Sequence, residues 1–293
     1  MFKYHSFSEY SLANILNSEI YLNHYEFFND PFECRCEVIE GFPKRDPSCA
    51  RFQKIVRAWG FDDANDQNVI DYYDDYASSL EHSQPSITTL LDSARISCFS
   101  KKGDNLLMWS HYADGLRGFC IEFDPVLLLT NCSEATEIYD VRYENVPAVI
   151  DTALIAVLND QVDYHGGAIF AFEQDSLRLG VNRSSEIKAY SGVMDDALKR
   201  NREIYQQMLA TKPIEWGYEE EVRIISDSDK RDKAGDFLKY PPDAIKSVII
   251  GERMPMHQRR ALMKAIENNS SPISLKIASR VNGKFNIVLG AAI

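Results

Sequence analysis

The sequence predicts an α+β fold, with a mixed or split β-sheet core, flanking helices and an inserted helical lobe at about 48–93. Short apolar or alternating segments, typical of strands, recur along the chain. Helical patterns of uneven length separate them, which favours α+β over a regular βα alternation. No fixed-period repeat or long Gly/Ser linker divides the chain. We therefore interpret residues 1–293 as a single domain with helical insertions at about 48–93 and 147–211.

The composition is that of a globular protein with an acidic surface. The chain has 293 residues, is 45% hydrophobic and carries a net charge of −12, a balance that repels nucleic acid at long range. The first residues lack the pattern of a signal peptide, and no apolar run approaches the ~18 residues of a membrane span. None of the six cysteines forms a CxxC pair, and no HxH or HxxxH spacing occurs. We expect a cytoplasmic protein with no membrane association and no bound metal.

The N-terminal elements are a helix, a strand and a turn. Ser6 and Glu9 have the spacing of a capping box before an apolar stripe, which predicts a helix. The segment "EIYLN" alternates like a strand. The sequence Asn29-Asp30-Pro31 then predicts a turn, since Asx side chains hydrogen-bond nearby backbone and proline fixes φ.

The region 48–93 is predicted to be helical. Ser48 and Gly60 mark the ends of its first helix. An acidic amphipathic segment follows, whose candidate buried side chains are Val69, Ile70, Tyr73 and Tyr76. It shows no catalytic pattern, so a solvated acidic face is expected.

The remaining elements alternate between strands and helices. The segments "RISCF", "GFCIEF", "TEIYDVRY", "EEVRIIS", "AIKSVIIG", "ISLKIAS" and "KFNIVLG" are strand candidates. Helices are predicted from Asn105 to Ala113, over 147–160, over 184–210 and in "PMHQRRALMKAIENN". Pro213 ends the third of these.

A charged row stands out in "YEEEVRII". If this segment is a strand, Glu219, Glu221 and Arg223 share one face, because side chains alternate. Val222 and Ile224 would then face the core, and the charged row would face a cleft. A solvated edge strand with an ion pair is the alternative interpretation.

The segment "MWSHYADG" is a second candidate. His111 and Tyr112 can present polar tips to a ligand; alternatively, Trp109 and Tyr112 pack inside while His111 caps a carbonyl group. The segment lacks the GxSxG pattern of a nucleophile elbow, so a serine hydrolase is rejected.

Four separated motifs carry a resemblance to a known family. They are "KYHSF", "LNSEIYLNHYEFFNDPFEC", "CFSKKGDNLLMWSHYADGLRGFCIEFD" and "EWGYEEEVRII". Their order and spacing over about residues 1–250 resemble the bacterial domain-of-unknown-function 2971 family. One departure is His5, where arginine is expected in much of that family. The arrangement also resembles, remotely, ADP-ribosyltransferase-like toxins and proteins of phage-defence systems.

The resemblance implies an enzyme that uses NAD as a substrate. It assigns Glu221 to stabilisation of the positively charged ribose and Glu219 to positioning of the acceptor, with Tyr112 and His111 completing the catalytic set. The residues implied to bind NAD are Lys3, Tyr4, His5, Asn29, Asp30, Ser100, Trp109 and Arg223. All of these side chains are expected to meet in one pocket.

Several partners and functions stay open at this point. The acceptor of a transferred ADP-ribosyl group is a protein, a nucleic acid or water. If the chain is a toxin, an antitoxin partner is expected. Two alternatives to the transferase are a non-enzymatic sensor or binding module of a defence system and a metal-dependent nuclease.

Overall fold

The computed structural model describes residues 1–130, 136–230 and 232–291. Backbone contacts divide the chain into two compact units. The first comprises residues 1–33, 92–146 and 212–293, and the second comprises residues 34–91 and 147–211. Cys132 lies outside the described residues.

The strands and helices have the following bounds. The strands are β1 (Phe2–His5), β2 (Glu19–Leu22), β3 (Cys36–Ile39), β4 (Ala94–Ser100), β5 (Phe119–Phe123), β6 (Thr136–Asp140), β7 (Arg142–Glu144), β8 (Ala148–Asp151), β9 (Thr211–Pro213), β10 (Glu221–Asp227), β11 (Asp236–Lys239), β12 (Ile245–Gly251), β13 (Ser274–Arg280) and β14 (Ile287–Ala291). The α-helices are α1 (Glu9–Leu16), α2 (Ala50–Trp59), α3 (Gln67–Leu80), α4 (Ile87–Ser93), α5 (Leu106–His111), α6 (Pro125–Leu128), α7 (Thr152–Leu179), α8 (Ser184–Leu209) and α9 (Met256–Glu267).

A mixed eight-stranded sheet organises the first unit and confirms the predicted α+β class. Its strand order is β14-β13-β12-β5-β1-β4-β10-β6. Neighbouring strands are antiparallel except β12 and β13, which are parallel and are connected through α9. A separate antiparallel pair is formed by β2 and β11. Strand β2 is tied to the large sheet by a bridge between Asn23 and Ile96.

The core of the first unit lies on the sheet. Buried apolar side chains of β5, β10 and β12 form one continuous cluster with α1 and α9, which includes Phe119, Ile224 and Val248. A second cluster surrounds the fully buried Trp109 of α5. Gly118 allows β1 and β5 to approach closely, since a Cβ atom there would lie 2.0 Å from the carbonyl oxygen of His5.

The second unit is mainly helical. Its core is formed by apolar side chains of α2, α3 and α7, among them Phe52, Val69 and Tyr73. Helices α7 and α8 pack against each other, and strands β3 and β8 form a short parallel pair. The predicted helical character of 48–93 is therefore confirmed by α2, α3 and α4.

Several predicted boundaries are wrong. The N-cap of α1 is Ser8, whose capping box closes with Ser11, so Ser6 is not the cap. The helix predicted over 147–160 begins at Thr152, after strand β8, and continues to Leu179. The helix predicted from Ser48 begins after Cys49, although Gly60 ends it in a left-handed conformation as expected.

Two predictions of burial also differ from the structure. Ile70, expected in the core, is 36% exposed, and Tyr76 is only half-buried. The proposed row of acids does not lie on a solvated edge strand. Glu221 begins β10, which lies between β4 and β6 inside the sheet. No α-helix of the described residues combines the length and apolar character needed to cross a membrane.

Candidate functional site

A cavity opens in the first unit where two neighbouring strands separate. Strand β1 pairs with β5 along its whole length but with β4 only at Phe2, opposite Ser100. Beyond this pair, residues 3–6 line one side of a cavity of about 740 Å³, and residues 96–99 of β4 line another. The split sheet therefore creates a concave site from side chains that are distant in the sequence.

The Lys3 side chain bridges this split. Its ammonium group donates to Ser97 Oγ at 2.7 Å and to the carbonyl oxygen of Cys98 at 3.0 Å. It also lies 4.8 Å from the centroid of the Phe99 ring. Burial lowers the pKa of Lys3, and the negative charge of Glu221 offsets this only in part.

Glu219 is buried on the cavity wall and is held by two donors. Its Oε1 accepts a hydrogen bond of 2.5 Å from the Tyr112 hydroxyl, and its Oε2 accepts one of 2.7 Å from Lys212 Nζ. Both carboxylate oxygens are thus fixed in direction. The same lysine donates to Glu221 Oε2 at 2.9 Å and lies 4.8 Å from the centroid of the Trp216 ring. Lys212 therefore joins the two acids.

Glu221 is held on its other side by an arginine. Arg223 Nε donates to Glu221 Oε1 at 2.8 Å, and Arg223 Nη1 lies 2.6 Å from Glu33 Oε1. Lys212, Glu221, Arg223 and Glu33 are all buried, and the most exposed of them, Glu33, is 8% exposed. The backbone N–H of Glu221 donates to the Tyr143 hydroxyl at 2.8 Å. The result is a buried network of alternating cations and carboxylates.

The two carboxyl groups have opposite pKa shifts. Burial raises the pKa of Glu219 above the ordinary value, and the charge and hydrogen bond of Lys212 offset this only in part. Burial would also raise the pKa of Glu221, but the Arg223 and Lys212 charges outweigh it and lower that pKa to about 2. Glu221 is therefore a permanent anion at physiological pH, whereas Glu219 takes up a proton more readily.

His5 and Tyr4 lie on β1 beside the cavity. The His5 ring stacks on Phe119 at 5.2 Å between centroids, and its buried Nε2 has no hydrogen-bond partner. Burial lowers the pKa of His5 to about 3, so the ring is neutral at physiological pH. Tyr4 lines the cavity with its ring edge-on to Trp109, and its hydroxyl donates to the carbonyl oxygen of Lys102.

The other predicted residues are distributed as follows. Asn29 lines the cavity, as does Tyr112. Ser100 is fully buried, and its hydroxyl donates to the backbone carbonyl oxygen of Glu219 at 2.7 Å. This bond holds the backbone of Glu219 in place. Asp30 is buried in the preceding turn, where its Oδ1 accepts from the backbone of Phe32 and its Oδ2 has no partner.

Five predicted residues do not line the cavity: Asp30, Ser100, Trp109, His111 and Arg223. Trp109 is a core residue whose indole N–H donates to the carbonyl oxygen of Gly103 at 2.9 Å. His111 is exposed at the end of α5, with its ring 6.1 Å from that of Tyr218. Trp109 therefore packs inside, as the alternative interpretation of this segment expected. Tyr112 is half-buried, and its hydroxyl donates to Glu219.

Lys212 and Glu33 are functional candidates that the sequence did not indicate. Lys212 belongs to "TKP", in which no charge pattern or periodicity marks it. Glu33 directly follows the predicted turn, and it forms an ion pair with Arg223, which is 190 positions further along the chain. Only the folded chain brings these two side chains into contact with Glu219, Glu221 and Arg223.

Metal and disulfide chemistry find no support among the described side chains. Within residues 1–130, 136–230 and 232–291, no group of three or more His, Cys, Asp or Glu is arranged to hold a metal ion. The five described cysteines, Cys34, Cys36, Cys49, Cys98 and Cys120, are free thiols. Burial raises the pKa of the Cys98 thiol well above its ordinary value, and the nearby Glu221 raises it further.

Comparison with known proteins gives one result. The model of a family described as "Protein of unknown function (DUF2971)" matches residues 108–224, a stretch that contains Tyr112, Lys212, Glu219 and Glu221. No curated protein and no solved structure matches the chain.

Proposed function

We propose that this chain, which belongs to the DUF2971 family, is an ADP-ribosyltransferase-like enzyme that consumes NAD in the cavity between β1 and β4. The observation that carries the proposal is the pair Glu219 and Glu221, two buried carboxyl groups on one cavity wall whose pKa values are shifted in opposite directions. Environments that separate the pKa values of two neighbouring acids assign them different chemical roles.

Glu221 suits the role of electrostatic stabiliser. Cleavage of the bond between nicotinamide and C1′ of the ribose generates an oxocarbenium-like transition state with positive charge on the sugar. A carboxylate that remains ionised and is fixed in direction stabilises that charge without reorganising. Glu221 meets both requirements, because Arg223 and Lys212 hold its two oxygens and lower its pKa.

Glu219 suits the role of general base. Nicotinamide departs with the electron pair of the broken bond, and an oxygen or nitrogen of the acceptor forms the new bond to C1′. The acceptor releases one proton, which the Glu219 carboxylate accepts. A base with a raised pKa is the more effective proton acceptor near neutral pH. Tyr112 orients this carboxylate through its 2.5 Å hydrogen bond.

The cellular setting follows from the proposed chemistry. Depletion of NAD or modification of a macromolecule would suit a toxin or phage-defence effector that acts in the cytoplasm. The acceptor would be a protein, a nucleic acid or water, and an antitoxin would hold the activity in check. The net charge of −12 favours a protein or water over a long nucleic acid as the acceptor.

The direct experiment incubates the purified chain with NAD and quantifies released nicotinamide, with and without added cell lysate. We expect release in at least one condition, with the adenine label recovered in free ADP-ribose or on a macromolecule. Glu267→Gln, which changes an exposed glutamate of α9, is the matched control and should react at the wild-type rate. Intact NAD in both conditions would refute the proposal.

A non-enzymatic binding module is the second candidate. One observation favours it: both oxygens of Glu219 and both of Glu221 already accept hydrogen bonds within the protein. Such a network can serve as a rigid wall for a bound nucleotide without reacting. Calorimetric binding of NAD without nicotinamide release would support this candidate over the transferase.

A further inference from the structure

Three exposed aromatic side chains surround the mouth of the cavity. Tyr10 of α1, Tyr21 of β2 and Phe237 of β11 all line it, and they are 88%, 42% and 59% exposed. The Tyr21 and Phe237 rings lie 5.2 Å apart between centroids at a tilt of 56°. Scattered exposed aromatic residues are ordinary, but three at one cavity mouth offer planar surfaces to a ligand.

The Tyr21 ring is fixed before any ligand arrives. Its hydroxyl accepts a hydrogen bond of 3.2 Å from the backbone N–H of Gly235. A Cβ atom at Gly235 would lie 2.3 Å from the Tyr21 ring, so the absence of a side chain there admits the ring. Lys230 holds the loop by donating to the carbonyl oxygen of Gly235 at 2.9 Å. A ring fixed in this way loses little entropy when it stacks on a ligand.

The pair of Tyr21 and Phe237, which face each other on β2 and β11, lies at a different position along β4 from the acids. Along β4, Glu221 pairs with Ser100, whereas Asn23, two residues beyond Tyr21, forms its bridge with Ile96. These positions are four residues apart, which corresponds to about 13 Å along a strand. That separation suits a ligand with a reactive group at one end and a planar group at the other.

We propose that Tyr21 and Phe237 form a stacking site for the adenine base of the bound nucleotide, with Tyr10 available at its edge. The inference rests on the proposed function for the identity of the ligand, and it adds where the non-reacting half of NAD binds. Stacking would anchor the adenosine half at the mouth and leave the nicotinamide ribose near Glu219 and Glu221. Binding of this remote half would then contribute to positioning the reacting bond.

The test measures the affinity of AMP and of nicotinamide mononucleotide for the full chain by calorimetry. Phe237→Ala should weaken AMP binding roughly 5- to 100-fold, the effect of losing one base–aromatic stack. Binding of nicotinamide mononucleotide, which lacks adenine, should stay within about twofold. Phe237→Trp retains a planar ring and should bind AMP at least as well as the wild type.

Two controls separate stacking from other effects. Phe285→Ala removes a fully exposed ring that does not line the cavity and should leave AMP affinity unchanged. Tyr21→Phe keeps the ring but removes the bond to Gly235, so a smaller loss than for Phe237→Ala is expected. Undiminished AMP affinity in Phe237→Ala, or no AMP binding by the wild type, would overturn the inference.

The outcomes also distinguish this inference from the proposed function. If the chain cleaves NAD but Phe237→Ala binds AMP normally, the enzyme assignment stands and the stacking site is wrong. If AMP binding depends on Phe237 but nicotinamide is never released, the stacking site stands and the transferase is wrong.

Discussion

Glu219→Gln is expected to slow nicotinamide release from NAD by roughly 10²- to 10⁴-fold, the range typical for loss of a general base. The substitution keeps the shape of the side chain but removes its proton-accepting charge. The two cations Lys212 and Arg223 then face the two carboxylates of Glu221 and Glu33, so no buried cation loses its only partner and the fold should persist. Initial rates at saturating NAD, with KM determined in parallel, measure the effect.

Two further measurements separate catalysis from structure for Glu219. The wild-type rate should fall as pH decreases through the raised pKa of Glu219, because only the carboxylate accepts a proton. This acid limb should therefore lie above the 4.5 of an ordinary glutamate. In Glu219→Ala, added formate should restore part of the activity. A Glu219→Gln variant that folds and releases nicotinamide at the wild-type rate would rule out the base assignment.

Lys212→Met is expected to destabilise the protein by about 3–5 kcal/mol at pH 7, the cost of removing one partner from a buried ion pair. Lys212 is 5% exposed and joins Glu219 and Glu221, so its loss leaves the two buried carboxylates without their shared cation. Urea unfolding monitored by tryptophan fluorescence measures the change. Lys101→Met, at a largely exposed pair with Asp140, is the matched control and should change stability only marginally.

The free energy of unfolding of the Lys212→Met variant should depend on pH in a way that a loss of packing alone would not produce. Without the ammonium group, the pKa of Glu219 in the folded state should rise further above its unfolded value. The folded state then binds more protons, so the variant should regain stability as the pH falls from 7 toward 5. Adding Glu219→Gln to Lys212→Met should recover part of the lost free energy as well. A loss independent of pH and additive with Glu219→Gln would show that the charges are not coupled.

The sequence predicted the elements of the first unit well because most of its strands are continuous apolar or alternating segments. Strands β5 and β12 fall within predicted segments, and β4, β10 and β13 overlap theirs and extend no more than one residue beyond at either end. The strand β1 was not predicted, since four residues carry too little periodicity. The separation of β1 from β4, which creates the cavity, depends on register and cannot be read from local pattern.

The sequence predicted that Glu219, Glu221 and Arg223 would lie together, but the backbone that places Glu219 differs from the predicted strand. Strict alternation placed Glu219, Glu221 and Arg223 on one strand face, but a 3-10 helix, Ile214–Glu219, precedes the strand. Glu220 adopts a left-handed conformation with φ of 43°, which ends that helix and starts β10. Lys212 nevertheless donates hydrogen bonds to both Glu219 and Glu221. Arg223 lies on the same strand face as Glu221, as alternation predicts.

A structure of the chain with a non-cleavable NAD analogue, in which a methylene group replaces the ring oxygen of the nicotinamide ribose, tests the central claim most directly. The quantity to measure is the distance from C1′ of that ribose to the carboxylate oxygens of Glu219 and Glu221. The account predicts that C1′ lies within about 4 Å of one of these oxygens, the separation required for a near-attack arrangement. An analogue bound with its nicotinamide ribose outside the cavity, or with both carboxylates beyond reach of C1′, would contradict it.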